Sequence, residues 1–113
     1  MYCENRPWGN FVVLLDGNDI KVKIISINPG QSISYQYHLK RSEHWIITKG
    51  NGELTIDDQK KNVGVNDQVF IPVNAKHKIR NNSDSVLQFV EVQTGDYFGE
   101  DDIIRLSDDY GRA

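Results

Sequence analysis

The 113-residue chain has few of the features that mark several broad classes of protein. Its single cysteine, Cys3, excludes an internal disulfide and indicates a reducing compartment. No basic run exceeds two residues and the formal net charge is −3, which argues against a nucleic-acid-binding surface. No apolar run approaches the length of a membrane helix, and residues 1–6 lack the charged-then-apolar order of a signal peptide. We therefore expect a soluble cytoplasmic protein.

Helical periodicity is also almost absent, and short strand-like segments alternate with turn signals instead. The length fits one domain over residues 1–113. Residues 20–27 alternate apolar and polar side chains in their first half, and residues 86–93 form the clearest late strand. This pattern predicts an all-β sandwich or barrel. Only residues 99–106, with acidic side chains near their start, are predicted to begin a short C-terminal helix.

The most informative stretch is residues 30–50, which reads as two strands around a polar corner. Gln36 and His38 are two residues apart, so in a strand their side chains point to the same side. Glu43 on the returning strand brings a carboxylate back toward them, and His77 from a later segment supplies a fourth ligand. The four residues predict a divalent metal site inside a β-barrel, with zinc as the first choice. The amide of Gln36 leaves manganese, iron, cobalt and nickel open.

The spacing of these residues resembles that of the two cupin motifs. The first motif is matched by Gly30, Gln36, His38, Glu43 and Gly50, with glutamine in place of the usual first histidine. The second is matched by Asn66, Pro72, Asn74, His77 and Asn81. Asn66 and Asn74 stand where the family has glycines, and asparagine tolerates the left-handed conformation that glycine adopts there. The resemblance implies a cupin fold, a double-stranded β-helix barrel similar to a jelly roll.

A longer resemblance narrows the family to type II mannose-6-phosphate isomerases. It is carried by residues 6–9 (RPWG), 36–45, 71–81, 91–95 and 100–112, and so covers nearly the whole chain. In that family the cupin is usually the C-terminal domain of a bifunctional enzyme with mannose-1-phosphate guanylyltransferase activity. The sequence has no glycine-rich nucleotide loop, so guanylyl transfer is not expected of this chain. The resemblance also implies a homodimer, with residues 11–15 as an exposed strand edge at the contact.

The resemblance implies a metal-dependent aldose–ketose isomerase that interconverts mannose 6-phosphate and fructose 6-phosphate. Arg41, Lys40 and Arg105 are predicted to bind the sugar phosphate, because arginine holds a phosphate with two parallel hydrogen bonds. Arg41 and Arg105 are also candidate catalytic residues that orient the phosphate or the developing enediolate, and Glu91 is the candidate base. A non-catalytic sugar-phosphate-binding cupin is the first alternative. A cupin enzyme that acts on another sugar phosphate is the second, since one fold carries many chemistries.

Overall fold

The computed structural model describes residues 2–110, which fold into two antiparallel sheets facing each other. The six-stranded sheet contains, in spatial order, β1 (Tyr2–Arg6), β2 (Gly9–Asp16), β3 (Ile20–Ile27), β10 (Leu87–Gly95), β5 (Arg41–Lys49) and β8 (Gln68–Ile71). The five-stranded sheet contains β11 (Ile103–Ser107), β4 (Tyr35–His38), β9 (His77–Arg80), β6 (Asn51–Ile56) and β7 (Gln59–Gly64). The all-β prediction is confirmed. Gly111 and Arg112 of the family-like tail lie outside the described residues.

The interior between the sheets changes character along the strands. Strand β5 buries Ile47 and Trp45 and then, toward its start, Glu43 and Arg41. Strand β10 runs antiparallel beside it and buries Leu87 and Phe89 before Glu91 and Gln93. Their register pairs Phe89 with Ile47 and Gln93 with Glu43, so the apolar halves coincide and the polar halves coincide. One end of the barrel is therefore a packed hydrophobic core, and the other end is a buried polar site.

Two turns confirm the expectation drawn from the asparagines of the second motif. Asn66 and Asn74 have φ angles of 75° and 72°, in the left-handed region where glycine is otherwise preferred. Gly50 turns the chain from β5 into β6 with φ 74°. A Cβ atom added at Gly50 would lie 2.5 Å from the carbonyl oxygen of Val86. This turn therefore also requires a residue without a side chain.

The helix predicted for residues 99–106 is wrong. Only Glu100–Asp102 form a single 3₁₀ turn, and Ile103–Ser107 form strand β11, which pairs with β4. The carboxylate of Asp102 accepts hydrogen bonds from the backbone N–H groups of Leu39 and Lys40, so it stabilises the β4–β5 corner. The β-branched residues that follow it suit a strand. None of the described residues belongs to a helix of the length and apolarity needed to cross a membrane.

The strand edge expected at residues 11–15 is wrong for residues 11–13, which pair with β1, whereas Leu14 and Leu15 are exposed and lie beyond that pairing. Strand β2 is hydrogen-bonded on one side to β3 and on the other to β1, a strand that the sequence pattern did not predict. One edge of the six-stranded sheet is therefore β1 and the other is β8, and the homodimer remains a prediction. Trp8, at the β1–β2 junction, is buried in the core.

Candidate metal centre

Three buried side chains converge at the polar end of the barrel. His38 ends β4, Glu43 lies in β5 and His77 begins β9, and each is at most 2% exposed. The Nε2 atom of His38 lies 3.1 Å from Oε2 of Glu43, and Nε2 of His77 lies 3.8 Å from Oε1. One ligand atom from each residue falls within 4.8 Å of the other two. Two strands of one sheet and one strand of the other thus bring two imidazoles and a carboxylate to one point.

The hydrogen bonding of His77 tests whether the cluster suits a metal ion. Its Nδ1 atom lies 3.0 Å from the carbonyl oxygen of Ala75 and donates to it, so Nε2 carries the lone pair. That Nε2 atom is buried and, among residues 2–110, has no hydrogen-bond partner. A ligating histidine in proteins typically donates its other ring N–H in this way. Two nitrogens and one carboxylate oxygen are a donor set that divalent zinc and its neighbours accept.

The electrostatics of the cluster favour the ligating forms of Glu43 and His77. Burial alone would raise the pKa of Glu43, but the hydrogen bond with His38 and the electrostatic influence of the neighbouring His77 and Arg41 side chains outweigh it. The pKa of Glu43 is therefore well below its usual range, and the side chain is a carboxylate. Burial lowers the pKa of His77, which favours the neutral imidazole.

The fourth predicted ligand, Gln36, lies beside the cluster but is engaged differently. Its Cα is the β-sheet partner of His77, and its side chain lines the same cavity as Glu43. Its amide oxygen accepts a hydrogen bond from Oγ of Ser34 at 3.2 Å. The structure thus brings His38, Glu43 and His77 together and places Gln36 at the side of the cluster. The role of Gln36 as a metal ligand remains a prediction.

A buried hydrogen-bond network connects Glu43 to the candidate base Glu91. The indole Nε1 of Trp45 lies 3.1 Å from Oε1 of Glu43 and 3.0 Å from Oε1 of Glu91. The amide of Gln93 donates to the other oxygen of Glu91 at 2.8 Å. Burial and the neighbouring Glu43 carboxylate raise the pKa of Glu91 to about 8. On the other side of the cluster, Arg41 donates to Oε2 of Glu43 at 3.0 Å.

A cavity of about 80 Å³ opens next to this network. Two acidic side chains, Glu43 and Glu91, line it together with a larger number of cationic side chains. Those cations are Arg6, Lys23, Arg41 and Arg105. Arg105 reaches the cavity from β11, where its Cα pairs with Gln36, and its buried Nε atom has no hydrogen-bond partner in the described part of the chain. The predicted phosphate ligands Arg41 and Arg105 therefore both reach the site.

Lys40 does not line the cavity, so its predicted role in substrate binding is not supported by its position. It is exposed at the β4–β5 corner, and its Nζ lies 4.8 Å from the ring centroid of Tyr97. His44 is exposed on the outer face and packs against Phe70, with ring centroids 4.6 Å apart.

Three residues of the site were missed by sequence reasoning. Trp45 and Gln93 lie on the inward faces of β5 and β10, at the same parity as Glu43 and Glu91, and that parity was a usable signal. Lys23 gave a misleading signal. The alternation of residues 20–24 suggests that its apolar members face inward, yet in β3 the buried positions are Lys23, Ile25 and Ile27.

The fold and the site together define the class of protein. Two facing antiparallel sheets with a histidine–glutamate–histidine cluster at one end constitute a cupin, a double-stranded β-helix barrel. The model of the family described as mannose-6-phosphate isomerase C-terminal matches residues 2–108. The chain belongs to this family, as the motif spacing implied.

Individual comparisons agree with this assignment. A mannose-1-phosphate guanylyltransferase from Salmonella montevideo is 45% identical over 107 residues, which are 95% of this chain and 23% of the relative. A Klebsiella pneumoniae protein with a double-stranded β-helix domain has a TM-score of 0.75 at 21% identity, over 85% of this chain and 82% of that one. The Schizosaccharomyces pombe Cnp3 cupin domain has a TM-score of 0.74 at 12% identity, over 77% and 64%. The chain spans 20% to 24% of the length of the curated relatives it matches.

Proposed function

We propose that this cupin domain is a metal-dependent aldose–ketose isomerase that interconverts mannose 6-phosphate and fructose 6-phosphate. The observation that carries the proposal is the buried His38–Glu43–His77 cluster, which adjoins a cavity lined by Glu91 and by several cations. The family match supports the choice of reaction over other cupin chemistries. We do not extend the guanylyl transfer named for the relatives to this domain, because its described residues belong to the β-barrel.

The reaction requires a proton to move from C2 of the aldose to C1, while a hydroxyl proton moves from O2 to O1. A divalent ion held by His38, Glu43 and His77, with zinc as the first choice, would polarise the carbonyl and stabilise the enediolate. Gln36 is the proposed fourth ligand. In this proposal the ionised form of Glu91 takes the C2 proton and returns it to C1, and the raised pKa of this carboxyl group, about 8, makes that form predominant only above pH 8. Trp45 and Gln93 each donate to one oxygen of Glu91, so its carboxyl group is held in a fixed orientation.

The arginines have separate proposed roles. Arg41 donates to the same Glu43 oxygen that faces His38, so it orients the carboxylate of the cluster and carries positive charge next to it. Arg105 faces the cavity from the opposite sheet, where its guanidinium is proposed to bind the phosphate or the developing enediolate.

A coupled assay of fructose 6-phosphate formation from mannose 6-phosphate tests the proposal. The protein is stripped with a chelator and assayed before and after addition of zinc, manganese, cobalt or nickel. We expect turnover only with metal, and its loss in His38→Ala. The matched control is His44→Ala, which removes a nearby exposed imidazole on the outer face and should retain turnover.

The opposite results would identify a different function. A folded, metal-loaded sample without turnover would contradict the isomerase proposal. If that sample were still stabilised by mannose 6-phosphate in a saturable way, the domain would be a sugar-phosphate-binding cupin instead. Turnover of a different sugar phosphate, without turnover of mannose 6-phosphate, would support the same metal cluster as the catalytic centre of an enzyme with another substrate.

A further inference from the structure

The outer face of the six-stranded sheet, which points away from the metal centre, carries apolar side chains where a solvent-facing sheet is usually polar. The register of β2, β3, β10 and β5 aligns one outward side chain from each strand in a continuous row, which consists of Val12, Ile24, Val90 and Ile46. None of these four side chains is buried, and Ile46 is 45% exposed. A contiguous exposed apolar surface marks an interaction site more often than a free surface.

A second row lies beside the first on the same face. It runs from β3 through β10 and β5 to β8 and consists of Val22, Val92, His44 and Phe70. Phe70 is 53% exposed, and its ring packs only against the side of the imidazole of His44 within the pair described above. Neither row contains a lysine, an arginine or a carboxylate. The centre of this face therefore has no fixed charge across five strands.

The border of the outer face is polar but also neutral. Ser26 and Gln88 flank the first row, and Ser42 and Thr94 flank the second. The amide of Gln88 donates to Oγ of Ser26 at 3.3 Å, and the hydroxyl groups of Ser42 and Thr94 share a hydrogen bond of 2.8 Å. An apolar centre with a polar border is the usual composition of a protein–protein interface. Because these four rows offer no counter-charge, the surface that suits them is itself apolar and neutral, as the same face of a second copy is.

The size of the face also fits a second copy. Five strands at a spacing of about 4.8 Å, and four rows of outward side chains about 6.8 Å apart, give a face of roughly 24 Å by 27 Å. Two such faces in contact would cover about 1,300 Å² in total, within the range of stable interfaces. Sheets that pack face to face keep their strands within about 30° of each other, an arrangement that two identical faces satisfy with two-fold symmetry.

We propose that the outer face of the six-stranded sheet binds the same face of a second copy and forms a two-fold symmetric dimer. The contact is made through sheet faces rather than through a strand edge. Both metal cavities stay outside the interface, because the cavity is lined by side chains of the opposite parity on the same strands, such as Lys23 and Glu91.

Analytical ultracentrifugation over a wide range of protein concentrations tests the proposal on wild-type protein, Ile46→Glu and Leu106→Glu. Leu106→Glu is the matched control, because Leu106 is 47% exposed but lies in β11 of the other sheet. We expect the wild type to dimerise. Ile46→Glu should weaken dimerisation roughly a hundredfold or more, since symmetry places its carboxylate in the apolar contact twice. Leu106→Glu adds the same charge and should dimerise like the wild type.

Phe70→Glu is a second variant of the same face, on a side chain that is still more exposed, and it should also be monomeric. Circular dichroism establishes that each variant is folded. Three results would overturn the inference. They are a wild type that is monomeric at every concentration, a dimer that persists in folded Ile46→Glu and Phe70→Glu, and a dimer that Leu106→Glu weakens as much as Ile46→Glu does. The second result would place the contact elsewhere, for example at the edge strands β1 and β8.

The outcomes are independent of the isomerase proposal, because self-association is measured without metal or substrate. A wild-type dimer that never turns over mannose 6-phosphate would contradict the isomerase alone. A wild type that turns over this substrate as a monomer at every concentration would contradict the dimer alone.

Discussion

Replacement of Trp45 by phenylalanine isolates the hydrogen bonds that connect the metal cluster to the candidate base. Trp45 is 1% exposed, and its ring stacks on Phe89 with centroids 4.4 Å apart. A phenyl ring retains much of this stacking and removes the indole N–H. Both carboxylates that receive this N–H, Glu43 and Glu91, then lose one donor in a buried environment.

The size of the effect follows from those two contacts. A buried acceptor that loses its partner costs about 1–3 kcal/mol, and the smaller ring leaves a gap in the core. Some relaxation of the carboxylates offsets part of this cost, so we expect the free energy of unfolding to fall by about 2–4 kcal/mol. Groups that orient metal ligands typically contribute 10–100-fold to metal affinity. We therefore expect zinc affinity to fall about tenfold or more.

Urea denaturation of metal-free protein measures the first quantity, and calorimetric zinc titration of the folded variant measures the second. Phe89→Leu is the control, because it removes the stacking partner and leaves both hydrogen bonds in place. Phe89→Leu should be destabilised with nearly unchanged zinc affinity. Wild-type zinc affinity in Trp45→Phe would refute the reasoning that the indole orients Glu43.

Three further predictions concern stability. Asp102→Asn should lower the free energy of unfolding in urea by about 1 kcal/mol, because one of its two bonds to the backbone of the β4–β5 corner is lost. Gly50→Ala should cost about 1–3 kcal/mol in thermal unfolding, since φ is 74° and the new Cβ would meet the Val86 carbonyl; an unchanged melting temperature would contradict this. The hydrogen bond from Tyr35 lowers the pKa of Asp58 below its ordinary value of 3.8. The stability that Asp58 contributes should therefore be present above pH 3.8 and disappear as the pH falls through its lower folded pKa, and circular dichroism should show a flatter acid limb for Asp58→Asn.

Much of the fold could be predicted because local signals agreed with the tertiary structure. The turns carried asparagine and glycine at the left-handed positions, Asn66, Asn74 and Gly50 among them. Residues 99–106 misled the prediction because acidic residues before an apolar run suit a helix start equally well. Pairing with β4, which no local pattern reveals, decided that this segment is a strand.

The site was predictable where both motif spacing and strand parity applied. His38, Glu43 and His77 come together as the spacing indicated, and Arg105 reaches the cavity from the tail. Lys23 could not be found in this way, because alternation alone does not tell which face of β3 is covered by the second sheet. Lys40 lies outside the cavity lining because one position beyond the end of a strand decides whether a side chain points into the barrel or into solvent.

The most direct test of the account is the rate of fructose 6-phosphate formation as zinc is titrated into stripped protein, with bound zinc measured in the same samples. The account predicts that the rate rises in proportion to bound metal and saturates near one ion per chain. It also predicts that Glu43→Gln, shown to be folded, binds zinc weakly and forms no product. Product formation in metal-free protein, or none in wild-type protein carrying a full equivalent of zinc, would contradict the claim that the His38–Glu43–His77 cluster is the centre of a metal-dependent isomerase.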